Sequence, residues 1–151
     1  MAHLDNYSAI FWLNIKDEVS VKQSYRVIAD QILKYHPSTS SLGAIIPDSQ
    51  LDEVVVAAKR WLEHSKNTRW LMVFDNYDNP KLPNNADPCA VDIQPFLPEA
   101  YHGSIIVTTR SSQVTIGRRI EVRKLENIRD CLQILCDASR RDALDGGLQS
   151  N

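Results

Sequence analysis

Three short apolar runs limit what this chain can fold into. Ala9-Ile10-Phe11-Trp12-Leu13-Asn14-Ile15, Trp70-Leu71-Met72-Val73-Phe74 and Ile105-Ile106-Val107 are almost unbroken and rich in β-branched and aromatic residues. A half-exposed strand alternates apolar with polar side chains. Runs without that alternation read as strands buried on both faces, as in a parallel sheet. The segments between the first two runs have helical periodicity. Val21, Tyr25, Ile28, Ala29, Ile32 and Leu33 recur at steps of three and four and give one apolar face. Asp17 or Ser20 caps this helix, and His36-Pro37 ends it, because the residue before proline avoids the α region. Residues 38–49 read as loop. Leu51, Val54, Val55, Ala58, Trp61 and Leu62 then form the buried face of a second helix, started by Ser49 or Asp52.

Strands alternating with helices predict an α/β fold: a mostly parallel sheet with helices on both faces. After the second strand the pattern loosens. Asn76 to Pro98 carries Pro80, Pro83, Pro88 and Pro95 among several Asn and Asp residues. It reads as a long irregular connection, the kind of loop that is often functional. The third strand runs from Ser104 to Thr109 and ends at Arg110. Ile120-Glu121-Val122 reads as a short fourth strand. A helix from Leu125 to Ser139 is expected to bury Leu125, Ile128, Leu132 and Leu135, followed by a frayed tail from Asp142.

Composition narrows the function classes. A chain of 151 residues with 43% hydrophobic and 24% charged residues suits one ordinary domain with a real core. The charge, 17 basic minus 19 acidic residues or −2, gives no electrostatic case for nucleic acid or a membrane surface. No run of 18 apolar residues is present, so no transmembrane helix is expected. The N-terminus lacks the basic-then-apolar pattern of a secretory signal, and a cytoplasmic location is the expectation. Cys89, Cys131 and Cys136 make an odd count without regular spacing, which fits a reducing compartment better than a disulfide framework. Cys131 and Cys136 fall on different faces of the last helix and are poorly placed as a metal pair. The four histidines read as polar surface. Trp12, Trp61 and Trp70 read as core packing. Arg118, Arg119, Arg123, Lys124 and Arg129 form a basic cluster best read as a solvated edge.

In open α/β sheets ligands bind at the carboxyl ends of the strands. Two strand ends carry suitable chemistry. Trp70 to Phe74 runs directly into Asp75-Asn76-Tyr77-Asp78. A carboxylate at the mouth of a buried strand offers one rigidly held anionic oxygen, as is needed to orient magnesium and its waters against phosphates. Asp78 could hold one of the metal's outer waters or polarise the attacking one. The plainer alternative is an Asx-turn in which Asp75 only closes the strand. Gly103-Ser104-Ile105-Ile106-Val107-Thr108-Thr109-Arg110 ends in two hydroxyls and a guanidinium, whose planar fork matches phosphate oxygens. Its plainer alternative is a strand with a solvated polar end.

Together these segments resemble a known family. Trp70 to Pro80 is similar to the Walker B segment of NB-ARC domains, which belong to the STAND class of signal-transducing P-loop NTPases. Gly103 to Arg110 resembles the family's sensor strand. Asp92-Ile93-Gln94-Pro95-Phe96-Leu97-Pro98 resembles the approach to it, and Tyr7 to Ile15 the strand after the P-loop helix. The flavour is that of fungal NOD-like receptors with tetratricopeptide repeats, and the likeness spans residues 5 to 137. It implies a partial three-layer P-loop fold over residues 1–124, with 125–151 beginning the next helical segment. It also implies an ADP/ATP-binding signalling switch with Mg2+. Asp75 would bind the metal, with Asp75 and Asp78 as the candidate catalytic residues. Thr108, Thr109 and Arg110 would contact phosphate, Arg110 sensing the terminal one. Asn76 stands where many relatives carry a second acidic residue.

One family element has no counterpart. No G-x-x-x-x-G-K-[ST] occurs anywhere, and Gly43, Gly103, Gly117, Gly146 and Gly147 do not supply it. The P-loop strand and helix would precede His3. Backbone amides and a lysine at that loop supply much of nucleotide affinity, so weak binding or none is expected from these residues alone. In the resembled fold the P-loop strand is central, between the sensor strand and the one after it, so its absence should expose apolar sheet edge and helix-facing side chains. Self-association or pairing with other NB-ARC proteins through that edge is the alternative role.

Overall fold

The computed structural model describes residues 6–37, 50–124 and 126–139. In chain order the elements are β1 (Ala9–Asn14), α1 (Glu18–Tyr35), α2 (Leu51–Leu62), β2 (Trp70–Asp75), a 3-10 turn (Gln94–Phe96), β3 (Ser104–Val107) and α3 (Ile128–Ser139). The chain divides into two compact units, residues 1–114 and 115–151. The first holds an α/β fold with a three-stranded parallel sheet in the order β1-β2-β3. Among the described residues no helix is long and apolar enough to cross a membrane.

Local chemistry explains the element boundaries. Asp17 is the N-cap of α1, its carboxylate accepting the Ser20 amide at 2.7 Å. That bond pulls the Asp17 carboxyl below the usual range. Gln50 is the N-cap residue of α2 and makes no side-chain cap bond. Of the two expected starters, Asp52 lies inside the first turn, and Ser49 lies outside the described residues, as do the expected loop 38–49 and the tail from Asp142.

The core forms on one side of the sheet. Phe11 and Leu13 of β1 and Trp70, Met72 and Phe74 of β2 alternate onto that side and are all buried. Against them pack Val21, Tyr25, Ile28, Ala29 and Ile32 of α1 and Val54, Val55, Ala58 and Leu62 of α2. The long connection after β2 lies on this side too. Tyr25 of α1 donates its hydroxyl to the Phe96 carbonyl, and Lys59 Nζ of α2 donates to the Pro95 carbonyl at 2.9 Å. Burial pushes the Tyr25 phenol well above its ordinary pKa. The connection is irregular but anchored: Tyr77, Val91, Ile93 and Phe96 are buried, and Pro80 bridges Val91.

This arrangement corrects the expectation of helices on both faces. Within residues 6–114, α1, α2 and the connection all cover one face. Right-handed crossovers explain why: strands laid down in the order β1, β2, β3 advance in one direction, so both crossovers fall on the same side. None of the described residues of 6–114 covers the other face. Ile10 and Trp12 of β1 are 45% and 64% exposed and Ile106 of β3 is 48% exposed. Trp12 is therefore not core, and β1 alternates buried and exposed residues instead of being buried on both faces. Trp61 is only partly buried. The central strand β2 keeps Leu71 and Val73 buried because β1 and β3 flank them.

Two further expectations fail beyond residue 114. Ile120 and Val122 are exposed and belong to no strand; three residues with a central Glu and no partnering edge cannot hold a ladder. The last helix forms, starting at Ile128, but Ile128, Leu132 and Leu135 stay exposed. Leu125 lies outside the described residues.

Candidate functional site

The carboxyl ends of β2 and β3 are sewn together by a seam of short hydrogen bonds. Parallel register pairs Phe74 with Val107, so the next residues of both strands leave the sheet side by side. The Thr108 amide donates to the Phe74 carbonyl at 2.9 Å, and the Tyr77 amide donates to the Thr108 carbonyl at 3.0 Å. Asn76 makes the intervening turn with φ +67°, a left-handed conformation that asparagine tolerates better than most residues.

Thr108 is the hub. Its hydroxyl donates to Asp75 Oδ1 at 2.5 Å and accepts the Asn76 amide at 3.1 Å. The Asn76 side-chain amide lies 3.4 Å from the other carboxylate oxygen of Asp75. Asp75 is thus held in one orientation at the rim, with Asn14 as its register partner on β1. Thr109 donates to the Tyr77 carbonyl at 2.6 Å and accepts the Ser111 amide at 3.0 Å. A hydroxyl has one proton to give. Both threonine protons are committed within the chain.

Asp78 and Arg110 meet across the seam. Asp78 Oδ1 accepts the Arg110 amide at 2.6 Å. Its Oδ2 accepts Arg110 Nε at 2.7 Å and lies 2.5 Å from a terminal guanidinium nitrogen. Hydrogen bonding from the Arg110 side chain, then from its amide, lowers the Asp78 pKa; Asp78 in turn raises that of Arg110. The Asp78 side chain is 24% exposed and that of Arg110 is 89% exposed. The structure therefore brings Asp75, Asp78, Thr108, Thr109 and Arg110 to one rim. Sequence reading did not anticipate that Asp78 would occupy the guanidinium. The two residues are separated by 32 positions, and no local pattern signals the pairing.

Among the described residues no cluster of three His, Cys, Asp or Glu side chains is placed to hold a metal ion. A single carboxylate suits Mg2+ only where phosphate and water oxygens complete the shell, and Asp75 is the rim oxygen that could do so. Cys89 and Cys131 are free thiols.

A cleft of about 370 Å³ lies away from the rim, lined by Glu18, Lys22, Asp52, Lys81, Asp92 and Phe96 among others. Lys22 there is paired with Glu18 at 2.6 Å and with Asp52 at 2.7 Å. Asp52 first, then Glu18, raises its pKa. That ammonium is already neutralised by two carboxylates, so the cleft has little to offer an anionic ligand. The fold and rim define an α/β protein with a polar cluster at the carboxyl ends of a parallel sheet. Comparisons with protein-family models, curated proteins and solved structures return no match.

Proposed function

We propose that this chain carries the Walker B and sensor side of an NB-ARC-type nucleotide switch, binding ADP or ATP with Mg2+ at the rim of its sheet. The observation that carries this reading is the Thr108 bridge, which joins Asp75 at the end of β2 to the sensor-like end of β3. In this reading Asp75 holds Mg2+ through water, and Arg110 reaches the terminal phosphate. Bound Mg2+ would neutralise phosphate charge. Thr108 keeps the Asp75 carboxylate oriented toward the rim.

Topology supports the same reading. The outer edge of β3 has no strand partner among the described residues, and the face bearing Ile10, Trp12 and Ile106 is uncovered. Parallel sheets are normally covered on both faces. Because the crossovers here run one way, a strand beyond β3, feeding a right-handed helix back toward β1, would cover the bare face. That is the position of the P-loop strand and helix in the resembled fold. It would also create a switch point beside β3, where ligands of such sheets bind. Both Asp78 oxygens accept from Arg110, which argues for a binding switch over a hydrolase.

Calorimetry tests the reading. ADP is titrated with and without Mg2+ into the chain alone and behind a supplied P-loop strand and helix. Heat should appear in the extended protein, depend on Mg2+ and lose that dependence in Asp75→Ala. No heat with ADP, or Mg2+ dependence that survives Asp75→Ala, removes this function.

The free β3 edge and bare face also favour a second reading, an interaction module that pairs with another NB-ARC protein or with itself. Light scattering that shows a monomer, together with no binding of an apolar dye, contradicts it.

A further inference from the structure

The Asp78–Arg110 pair sits where the proposed function needs a free guanidinium. A guanidinium presents two forked edges, each of which takes one carboxylate or one phosphate edge. Here the edge made by Nε and a terminal nitrogen is spent on Asp78 Oδ2. The same carboxylate places a negative charge beside the path that a phosphate would take. The pair also sits on the hydrogen-bonded seam, so Arg110 is held close to its strand by its own amide bond to Asp78 Oδ1. Thr108 and Thr109 cannot compensate, since their hydroxyl protons go to Asp75 and to the Tyr77 carbonyl.

We propose that Asp78 is an internal phosphate mimic that latches the Nε edge of Arg110, so that a polyphosphate takes this edge only by displacing the Asp78 carboxylate from the guanidinium. This rests on the phosphate-binding reading of the rim and adds its regulation. The contact is autoinhibitory, and ligand phosphate must outcompete it. Arg110 is largely solvent-exposed, so exchange of partner needs only a rotation of its side chain. The Oδ1 bond to the Arg110 amide can persist, keeping the seam intact while the latch opens.

Asp78→Asn separates the two roles of Asp78. Its amide oxygen still accepts the Arg110 amide, and its neutral NH2 no longer pairs with the guanidinium. The probes are the Arg110 Nε–H signal in ¹H–¹⁵N spectra and titration with inorganic tripolyphosphate plus Mg2+. The latch predicts that this Nε–H exchanges slowly with solvent in the unsubstituted chain. It should exchange faster in Asp78→Asn, whatever ligand is present. It also predicts that Asp78→Asn binds tripolyphosphate about threefold to fivefold more tightly, the scale set by one exposed ion pair. Arg110→Ala should bring both backgrounds to the same weak affinity. Real but equal affinities in the unsubstituted chain and Asp78→Asn, or an unchanged Nε–H signal, overturn the latch and leave the phosphate reading standing. No tripolyphosphate binding in any variant overturns the latch, whereas the phosphate reading falls only if the extended protein also gives no heat with ADP.

Discussion

Gly103 offers the sharpest test of how the sheet is packed. It has φ +78°, and a Cβ added there would come within 2.4 Å of Trp70 Cε2 and 2.5 Å of Cδ2 and Cζ2. Real Cβ atoms do not approach an indole ring that closely. Trp70 cannot simply swing away, since it is 2% exposed and its Nε1–H donates to the Leu62 carbonyl at 3.0 Å. Gly103→Ala therefore carries two penalties. A left-handed conformation costs alanine about 1 kcal/mol. Overpacking a buried ring costs about 1–3 kcal/mol more. The sum, about 2–4 kcal/mol, should lower the melting midpoint by roughly 5–15 °C. Gly117 is the control: its φ is +66°, and nothing lies within 4 Å of an added Cβ. Gly117→Ala should cost about 1 kcal/mol or less. Urea unfolding followed by tryptophan fluorescence and circular dichroism gives both values. In a Trp70→Leu background the Gly103→Ala penalty should shrink toward the backbone share alone. Equal penalties for the two glycines, or no change of the Gly103 penalty in that background, refute the packing described.

Other consequences follow from named contacts. Thr108→Val removes the hydroxyl that bridges Asp75 and the Asn76 amide, and should cost about 2 kcal/mol in urea unfolding; a loss below about 0.5 kcal/mol contradicts the bridge. Tyr25→Phe leaves the Phe96 carbonyl without its donor inside the core and should cost about 1–2 kcal/mol, read from the same curves. Asp17→Ala should cost about 1 kcal/mol at neutral pH through loss of the α1 cap. Because the folded Asp17 carboxyl is depressed below its ordinary 3.8, that contribution is present above 3.8 and is lost as pH falls through the folded value. Measured at about pH 2–3, the Asp17→Ala penalty should be smaller than at pH 7. Trp12→Ser should change stability by no more than about 1 kcal/mol and should reduce apolar-dye binding, since Trp12 lies on the bare face.

The strands were legible because continuous apolar runs have few other uses at that length, and β1, β2 and β3 lie where those runs lie. Which face of β1 would be covered was not legible. Ile10, Phe11, Trp12 and Leu13 are all apolar, and only the direction of the crossovers decides that Phe11 and Leu13 face helices while Ile10 and Trp12 do not. Ile120-Glu121-Val122 misled for the opposite reason: β propensity without a neighbouring edge makes no strand. At the rim, Asp75 and Thr108 to Arg110 were visible as polar ends of apolar runs, and parallel register brings them together. The grip of Asp78 on Arg110 was invisible, because it depends on the turn at Asn76 and the exit angle of β3. Tyr25 reaching Phe96 and Gly103 beneath Trp70 are likewise products of tertiary packing.

The central claim is a location: the phosphate and metal chemistry belongs to the joined ends of β2 and β3. Backbone amide spectra recorded while Mg-ADP is added test it most directly. The account predicts that the largest shifts fall on residues 75–78 and 108–111, and that they fade in Asp75→Ala. Shifts centred on Glu18, Lys22 and Asp52, with the rim unmoved, would contradict it.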